Sequence, residues 1–190
     1  EETKEGQADD EADVVVWHWE DKRLQSQQQV QESQDKSFYY LCIRQTEAEK
    51  TLRLGTEEMR EASIPRPHRI AIATDNEMYR RDGSLDGRRY RDVYVVDISS
   101  GQRRLVLEKY RWMTLPSPTG EKLLYYAKRH FHVLDVKSGK SRNITKQVKT
   151  SFVDQEDDHN IIDPPHSPVG WSQDGNCLLY TSPSPRDRVL

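Results

Sequence analysis

Two stretches of the chain carry the same five-residue pattern, Asp-x-x-Ser-Gly, directly after an apolar segment. The first runs from Asp97 to Gly101 and the second from Asp135 to Gly139, which places them 38 positions apart. Glycine adopts positive φ without a Cβ penalty, as the last residue of such a turn requires. The aspartate can accept hydrogen bonds from turn amides. The pattern therefore predicts two β-hairpins of one design, spanning 91–107 and 130–145.

A degraded third copy lies upstream, over residues 37–54. Its two strands are readable from their β-branched and aromatic residues. Glu47 stands where we expect the turn glycine, so the sequence predicts a turn of a different kind here.

Further units are indicated by a tryptophan followed by a turn. After Trp112 come a turn over Pro116–Gly120 and a strand over Lys122–Ala127, and Trp171 opens an equivalent unit 59 positions later. The extra length between them falls within 147–167, which is polar and acidic. We interpret this segment as a loop insertion between repeats.

A period near 40 residues with four short strands per unit is typical of a β-propeller. The predicted fold class is all-β, a partial propeller of about three four-stranded antiparallel blades plus the start of another. The strand assignments include 13–21 and 68–75, whereas the glutamine-rich span 24–36 has no apolar stripe. The predicted segments are an acidic disordered lead-in (1–12), three units (13–57, 58–108 and 109–146), the insertion (147–167), a truncated blade (168–176) and a tail (177–190).

Composition narrows the function classes. Hydrophobic residues make up 34% and charged residues 32% of the chain, against about 45–50% apolar in ordinary domains. The net charge of −3 gives no reason to expect binding to nucleic acid or to an anionic membrane. No apolar run reaches the roughly 18–20 residues that span a bilayer, so we predict no membrane span. Cys42 and Cys177 give no disulfide framework.

The tail has its own interpretation. Residues 177–187 resemble the translation of a transposase-type sequencing adapter, with 188–190 as read-through, so native sequence is expected to stop near Asn176. Such segments are set aside before fold reasoning. Because the chain also lacks an initiator Met, we expect it to be an interior piece of a longer protein.

One segment superficially resembles a catalytic motif. Gly170–Asp174 is similar to the G-x-S-x-G nucleophile elbow around Ser172, but Asp174 replaces the second glycine that the strained turn requires. The sequence predicts a hairpin turn instead. No G-x-G-x-x-G or Walker-type loop is present, and we expect no cofactor.

The insertion holds the densest group of ionisable residues. Its spacing matches neither an EF-hand loop nor H-E-x-x-H, so a solvated acidic loop is the first interpretation and no metal site is predicted. A second interpretation is that the loop, over 154–163, lines a channel and attracts a cationic group such as a peptide amino terminus. The residues concerned are Asp154, Glu156, Asp157, Asp158, His159, Asp163 and His166.

Basic and aromatic residues elsewhere give no stronger site. Five arginines between residues 80 and 91 alternate with aspartates, which indicates a mixed-charge surface loop and not a nucleic-acid interface. The tryptophans open strands, so we expect them to pack between blades. They are Trp17, Trp19, Trp112 and Trp171.

With these residues described, the chain resembles the amino-terminal propeller of serine peptidases of the prolyl-oligopeptidase/dipeptidyl-peptidase type. The repeats are similar to TolB-like propeller repeats at 117–125 and 133–139. Two local pieces, 14–29 and 163–171, resemble bacterial exported members of the peptidase family. The repeats also occur in proteins that are not enzymes. The resemblance to peptidases in particular therefore rests on 14–29 and 163–171.

The resemblance implies that the propeller caps an α/β-hydrolase domain and restricts access to short peptides. The catalytic serine, aspartate and histidine of such enzymes lie in the hydrolase domain, so no catalytic, cofactor or metal residue is assigned to this chain. The implied partners are that domain and a peptide substrate, and the implied location is periplasmic or exported. The alternative is a TolB-like propeller that binds a protein partner without enzymatic activity.

A partial propeller exposes unpaired strand edges, which template association. We expect the 190-residue chain to aggregate or to stay partly unfolded when it is expressed as written, and light scattering during size-exclusion chromatography measures this. A monomer with one sharp thermal transition would contradict the expectation.

Overall fold

The computed structural model describes Val14, 16–66 and 69–181. Within these residues two helices, α1 (Gln25–Lys36) and α2 (Arg80–Asp86), accompany twelve strands, and a 3-10 turn over Glu77–Tyr79 precedes α2. The strands are β1 (Cys42–Gln45), β2 (Lys50–Arg53), β3 (Glu61–Ser63), β4 (Ile70–Asp75), β5 (Arg91–Asp97), β6 (Arg103–Tyr110), β7 (Leu115–Pro116), β8 (Lys122–Ala127), β9 (His130–Asp135), β10 (Ser141–Asn143), β11 (Gly170–Trp171) and β12 (Leu178–Leu179).

The strands form four antiparallel sheets in chain order. Sheet 1 holds β1 and β2, sheet 2 holds β3 to β6, sheet 3 holds β7 to β10, and sheet 4 holds β11 and β12. In every sheet each strand pairs with its sequence neighbour, so the chain is an up-and-down meander. Sheets 2 and 3 are four-stranded blades, and the described sheets do not close into a ring. The predicted fold class, a partial all-β propeller, is confirmed.

The inner strands of the blades are buried on both faces. In sheet 2, Ile72 packs with Leu123 and Leu134 of sheet 3. On the opposite face of the same strand, Ala71 packs with Leu54, which follows β2 of sheet 1. Side chains alternate between the two faces of a strand, so a continuous apolar run in β4 serves two interfaces at once. The sheets therefore stack face to face, each between its neighbours in sequence.

Sheet 3 repeats this arrangement. Its residues Leu123 and Leu134 face sheet 2, while Leu124 and Val133 face the other way. The second set packs in a cluster that includes two residues of sheet 4. The members of that cluster are Leu124, Tyr126, Phe131, Val133 and Phe152, with Trp112, Leu115, Ile144, Val148, Trp171 and Leu178 packed against it.

The two Asp-x-x-Ser-Gly segments form the predicted hairpin turns. Oδ1 of Asp97 accepts a hydrogen bond from the Ser100 amide at 2.8 Å, and Oδ1 of Asp135 accepts one from the Ser138 amide at 2.7 Å. The closing glycines have φ of 75° and 72°. Hydrogen bonds donated by the hydroxyl groups of Ser99 and Ser138 lower the pKa of Asp97 and Asp135, respectively. One turn design thus joins the last two strands of both blades.

The expectation for the third hairpin was wrong. Gln45 pairs with Lys50, so the turn of sheet 1 has the same length as the turn after Asp97. The position that glycine fills elsewhere falls on Glu49, not on Glu47, and Glu49 has a φ of 49°. A non-glycine residue takes this left-handed conformation at a cost of about 1–2 kcal/mol. The pairing of β1 with β2 on either side of the turn imposes this conformation on Glu49.

Other local predictions are corrected or fall outside the described residues. Val14 and 16–21 contain no strand, although the sequence predicts one over 13–21, and most of the glutamine-rich span forms α1 (Gln25–Lys36). The charged span after β4 contains α2, which the sequence did not indicate. The lead-in 1–12 and tail residues 182–190 lie outside the described residues, whereas 177–181 contain β12. The adapter origin of the tail stays a prediction.

Basic side chains connect successive sheets through backbone carbonyls. Arg103 of sheet 2 donates to the Leu54 carbonyl at 3.3 Å, and Arg104 donates to the carbonyl of Val136 in the turn of sheet 3. Lys122 of sheet 3 donates to the Gly175 carbonyl of sheet 4 at 3.1 Å. These contacts lie at the rim of each apolar interface and fix the position of one turn against the next.

The equivalent glycines of the two turns give a paired test. Gly101→Ala and Gly139→Ala both force alanine into positive φ, at about 1–2 kcal/mol each. At Gly139 a Cβ would also lie 2.5 Å from Nη1 of Arg104, whereas at Gly101 it would make an ordinary 3.7 Å contact with Leu52. We expect Gly139→Ala to lower the free energy of unfolding more than Gly101→Ala, as measured by urea denaturation. Equal losses would show that the Arg104 contact contributes nothing.

Candidate functional site

Strand order divides the connections between two ends of the sheets. The connections between β1 and β2, β3 and β4, β5 and β6, β7 and β8, β9 and β10, and β11 and β12 all lie at one end of their sheets, because consecutive strands are antiparallel. We call this the turn end. The opposite end, called the loop end, receives the long segments 16–37, 76–90 and 144–169. The longest connections therefore lie at one end, as is usual where loops on a scaffold carry function.

Polar contacts hold two of these segments together. The Lys22 ammonium lies 2.5 Å from Oε1 of Glu77, and Arg80 lies 3.1 Å from Oε2 of the same residue. The Lys22 hydrogen bond is the main reason that the pKa of Glu77 is lowered. Ser84 of α2 faces Gln27 of α1 at 3.3 Å. The two helices are joined by hydrogen bonds and not by a shared core.

A second ion-pair group secures α1 to sheet 2. Asp35 lies 2.6 Å from Arg23 and 3.0 Å from Arg60, which precedes β3. The hydrogen bond from Arg23 lowers the pKa of Asp35 most, and Arg60 adds to it. No residue of α1 is buried, so these charges decide where the helix lies.

The insertion is anchored to the core at its base. Phe152 is buried and its ring packs 5.4 Å from Phe131 of β9. The amide of His166 donates to the Phe152 carbonyl at 3.0 Å, and the Asp154 amide donates to the Pro164 carbonyl at 2.7 Å. These bonds close 154–164 into a hairpin-like loop. The sequence pattern of this segment is only polar and acidic, and it does not indicate the anchor because Phe152 is a single apolar residue among polar ones.

The acidic residues lie exposed at the tip of this loop. Asp157, Asp158 and His159 bring their possible ligand atoms within 4.8 Å of one another. Asp158 and His159 are exposed, whereas the Asp157 side chain is half-buried. Oδ1 of Asp157 already accepts the His159 amide at 2.9 Å, which is the main reason that its pKa is lowered. Among the described residues this group has no fully buried member and no ion-pair partner from another segment, so the geometry describes a solvated acidic tip.

An ion pair joins the insertion to the blade beside it. Arg129, in the two-residue turn between β8 and β9, lies 3.1 Å from Asp163. Both residues have positive φ, 67° and 50°. Lys128 also has positive φ, so this turn has the left-handed geometry that usually requires glycine or asparagine. The ion pair is largely exposed and contributes at most about 1 kcal/mol.

An aromatic cavity lies beneath the end of the insertion. Its volume is about 30 Å³, and its walls combine Trp112 and Tyr126 with Pro165 and Pro168. The Trp112 and Tyr126 rings meet edge to face at 6.0 Å. Within the described residues the Tyr126 hydroxyl has no hydrogen-bond partner, and burial raises its pKa. A cavity of this size has room for a single water molecule.

Ser172 lies in a hairpin turn, as the sequence predicts. Its Oγ donates to Asp174 at 2.5 Å and accepts the Cys177 amide at 2.8 Å. The segment continues into β12 and not into a helix, so the geometry of a nucleophile elbow is not formed here.

The prediction that all four tryptophans pack between blades was half right. Trp112 contacts both core clusters of sheet 3, and Trp171 donates from Nε1 to the Leu115 carbonyl at 3.0 Å. Trp17 and Trp19 instead lie about 60% exposed at the loop end. Sequence reasoning missed this because it placed them on a strand that the structure does not contain.

The comparisons with known proteins address the fold. No protein-family model matches the chain, and no curated protein matches it. Among solved structures the chain is similar to the crystal structure of TolB from Acinetobacter baumannii, with a TM-score of 0.37 and 17% identity over 61% of this chain. The chain spans 28% of that structure's length. No helix among the described residues is long and apolar enough to cross a membrane.

The anchor of the insertion gives a test. Phe152→Ala removes a buried ring, a change that typically costs about 3–5 kcal/mol. We expect faster cleavage within 154–163 under limited proteolysis, because the loop loses its attachment. Ile162→Ala is the control, since Ile162 lies 74% exposed in the same loop. Equal cleavage rates in the two variants would contradict the anchoring role.

Proposed function

We propose that this chain is the non-catalytic propeller part of a serine peptidase, in which it limits the access of peptides to a separate α/β-hydrolase domain. The observation that carries the proposal is the anchored insertion, which presents an acidic tip at the loop end of the blades. The sequence resemblance to prolyl-oligopeptidase/dipeptidyl-peptidase enzymes includes 163–171, the part of the insertion that returns to β11. In such an enzyme acyl transfer through an activated serine would occur in the hydrolase domain.

The acidic tip suits an electrostatic role. Exposed carboxylates act over about 8–10 Å at physiological ionic strength, and they attract the positively charged amino terminus of a peptide. The two-carboxylate tip, Asp157 and Asp158, belongs to a loop whose base is fixed to the core through Phe152. A fixed base keeps these charges at the loop end, where they favour one orientation of an approaching peptide.

The alternative is a protein-binding propeller without enzymatic activity. It is favoured by exposed apolar side chains of the loop end, among them Trp17, Trp19, Met78 and Leu85. Tryptophan is enriched among residues that dominate binding energy in protein interfaces. In this case the loop end would contact a folded partner instead of guiding a peptide.

The deciding experiment uses the complete reading frame that contains this chain. We expect a G-x-S-x-G nucleophile elbow downstream and hydrolysis of short peptides but not of folded proteins. The absence of the elbow and of hydrolysis would overturn the peptidase proposal. In that case, a protein partner that binds the complete protein and binds its Trp19→Ala variant more weakly would favour the binding alternative.

The role of the acidic tip is tested in the same enzyme. Asp157→Asn with Asp158→Asn should raise KM about two- to fivefold at low salt for peptides with a free amino terminus, and leave kcat unchanged. Amino-terminally acetylated peptides should show no difference, because the attracted charge is absent. The matched control is Glu47→Gln with Glu121→Gln, which removes two charges at the turn end. An equal effect of both pairs would exclude a specific role of the tip.

A further inference from the structure

Two basic side chains at the loop end converge on one tyrosine ring. The Lys109 ammonium lies 5.4 Å from the centroid of the Tyr90 ring. The Arg111 guanidinium lies 5.7 Å from the same centroid and 4.8 Å from the centroid of the Trp112 ring. Tyr90 comes directly before β5, whereas the other three residues lie at or just after the end of β6. We call these four residues the basic–aromatic cluster, which the pairing of β5 with β6 brings together.

The backbone of the cluster is fixed by hydrogen bonds, and one of its residues is strained. Lys109 has a φ of 47°, a conformation that costs a non-glycine residue about 1–2 kcal/mol. Oδ1 of Asp92 accepts both the Lys109 amide and the Tyr79 hydroxyl, each at 2.8 Å. Arg91 donates to the Trp112 carbonyl at 3.0 Å. Strained residues concentrate at functional sites, and here the strained residue supplies one of the two cations.

The two cations have no counter-ion in the described part of the chain. Neither Lys109 nor Arg111 forms an ion pair with a carboxylate of residues 16–66 or 69–181. Two other arginines that stack on aromatic rings differ in this respect, since Arg60 pairs with Asp35 at 3.0 Å and Arg53 donates to a backbone carbonyl at 3.0 Å. Arg111 is half-buried, and a charge that is partly removed from water is stabilised by a partner. An anion would therefore complete the cluster.

The cluster lies between two four-stranded sheets and not at an open strand edge. It is formed by the residues that precede β5 and those that connect β6 of sheet 2 to β7 of sheet 3, and the structure describes 69–114 without a gap. It belongs to the loop end, as does the acidic tip of the insertion. The loop end thus presents charges of both signs on separate segments.

We propose that the basic–aromatic cluster binds a carboxylate of a peptide at the loop end. Stacking against Trp112 orients the planar Arg111 guanidinium, whose forked N–H groups match the two oxygens of a carboxylate. Lys109 adds a second positive charge beside it. A short peptide with a free carboxyl terminus carries this group, as does an acidic side chain. The inference rests on the proposed function, because it takes the ligand to be a peptide, and it identifies which group of that peptide is recognised.

Binding of capped peptides to the complete protein that contains this chain tests the proposal. The protein is first treated with a fluorophosphonate, which blocks a catalytic serine, so that no probe is hydrolysed. The probes are acetyl-tetraalanine with a free carboxyl terminus and acetyl-tetraalanine amide, and their affinities are measured by isothermal titration calorimetry at low salt. The acetyl group removes the charge that the acidic tip attracts. We expect the free acid to bind about tenfold more tightly than the amide, because the amide cannot form the hydrogen-bonded ion pair.

Variants of the arginine assign this preference to the cluster. Arg111→Gln should abolish the difference between the two probes, whereas Arg111→Lys should retain part of it, because lysine keeps the charge but not the fork. The matched control is Arg53→Gln, which removes another arginine that stacks on an aromatic ring and should leave the preference unchanged. A third probe, acetyl-Ala-Glu-Ala-Ala amide, distinguishes the two sources of the carboxylate. Binding as tight as that of the free acid assigns the cluster to side-chain carboxylates as well, and binding as weak as that of the amide assigns it to the carboxyl terminus alone.

The outcomes separate this inference from the peptidase proposal. Equally weak binding of all three probes, or a preference for the carboxylate that survives Arg111→Gln, overturns the inference. Hydrolysis of short peptides by the untreated protein without such a preference overturns the inference alone. A preference that depends on Arg111 in a protein that hydrolyses no peptide overturns the peptidase proposal and leaves the carboxylate site in place.

Discussion

The packing of apolar side chains between successive sheets is the interaction on which the rest of this structure depends. Each inner strand supplies residues to two interfaces, because its side chains alternate between its faces. In β4 the run Ile-Ala-Ile-Ala divides in this way, and in β8 the run Leu-Leu-Tyr-Tyr does the same. A chain with only 34% hydrophobic residues can therefore build a continuous stack, since those residues are concentrated in the inner strands.

Apolar packing alone does not fix one sheet relative to the next, and polar contacts at the rims supply the missing specificity. Each turn aspartate accepts a hydrogen bond from a backbone amide of its turn, so the two Asp-x-x-Ser-Gly hairpins have the same geometry. Arginine and lysine side chains then reach from one sheet to a backbone carbonyl of its neighbour. Hydrogen bonds of this kind contribute modestly to stability but depend strongly on distance and angle. They select one relative position among the many that apolar surfaces allow.

The two ends of the stack have different roles. Short hairpin turns of one or two designs recur at the turn end. The loop end differs at every connection, and each long segment is held by its own contacts: ion pairs for α1, a buried ring for the insertion. Recurring short turns suit contact between repeats, whereas a variable end suits recognition of another molecule. The proposed control of peptide access places the ligand at the variable end.

The sequence by itself determined the hairpins, the repeat period and the fold class, because turns and alternating strands are encoded within a few neighbouring residues. It also excluded an elbow at Ser172, since Asp174 occupies the glycine position. The tertiary structure decided the rest. A residue as isolated as Phe152 becomes an anchor only when Phe131 lies beside it, and α1 is held by charges that lie far apart in sequence. Trp17 and Trp19 were misplaced for the same reason: whether a side chain is buried depends on which distant sheet covers it, and the local pattern does not contain that information.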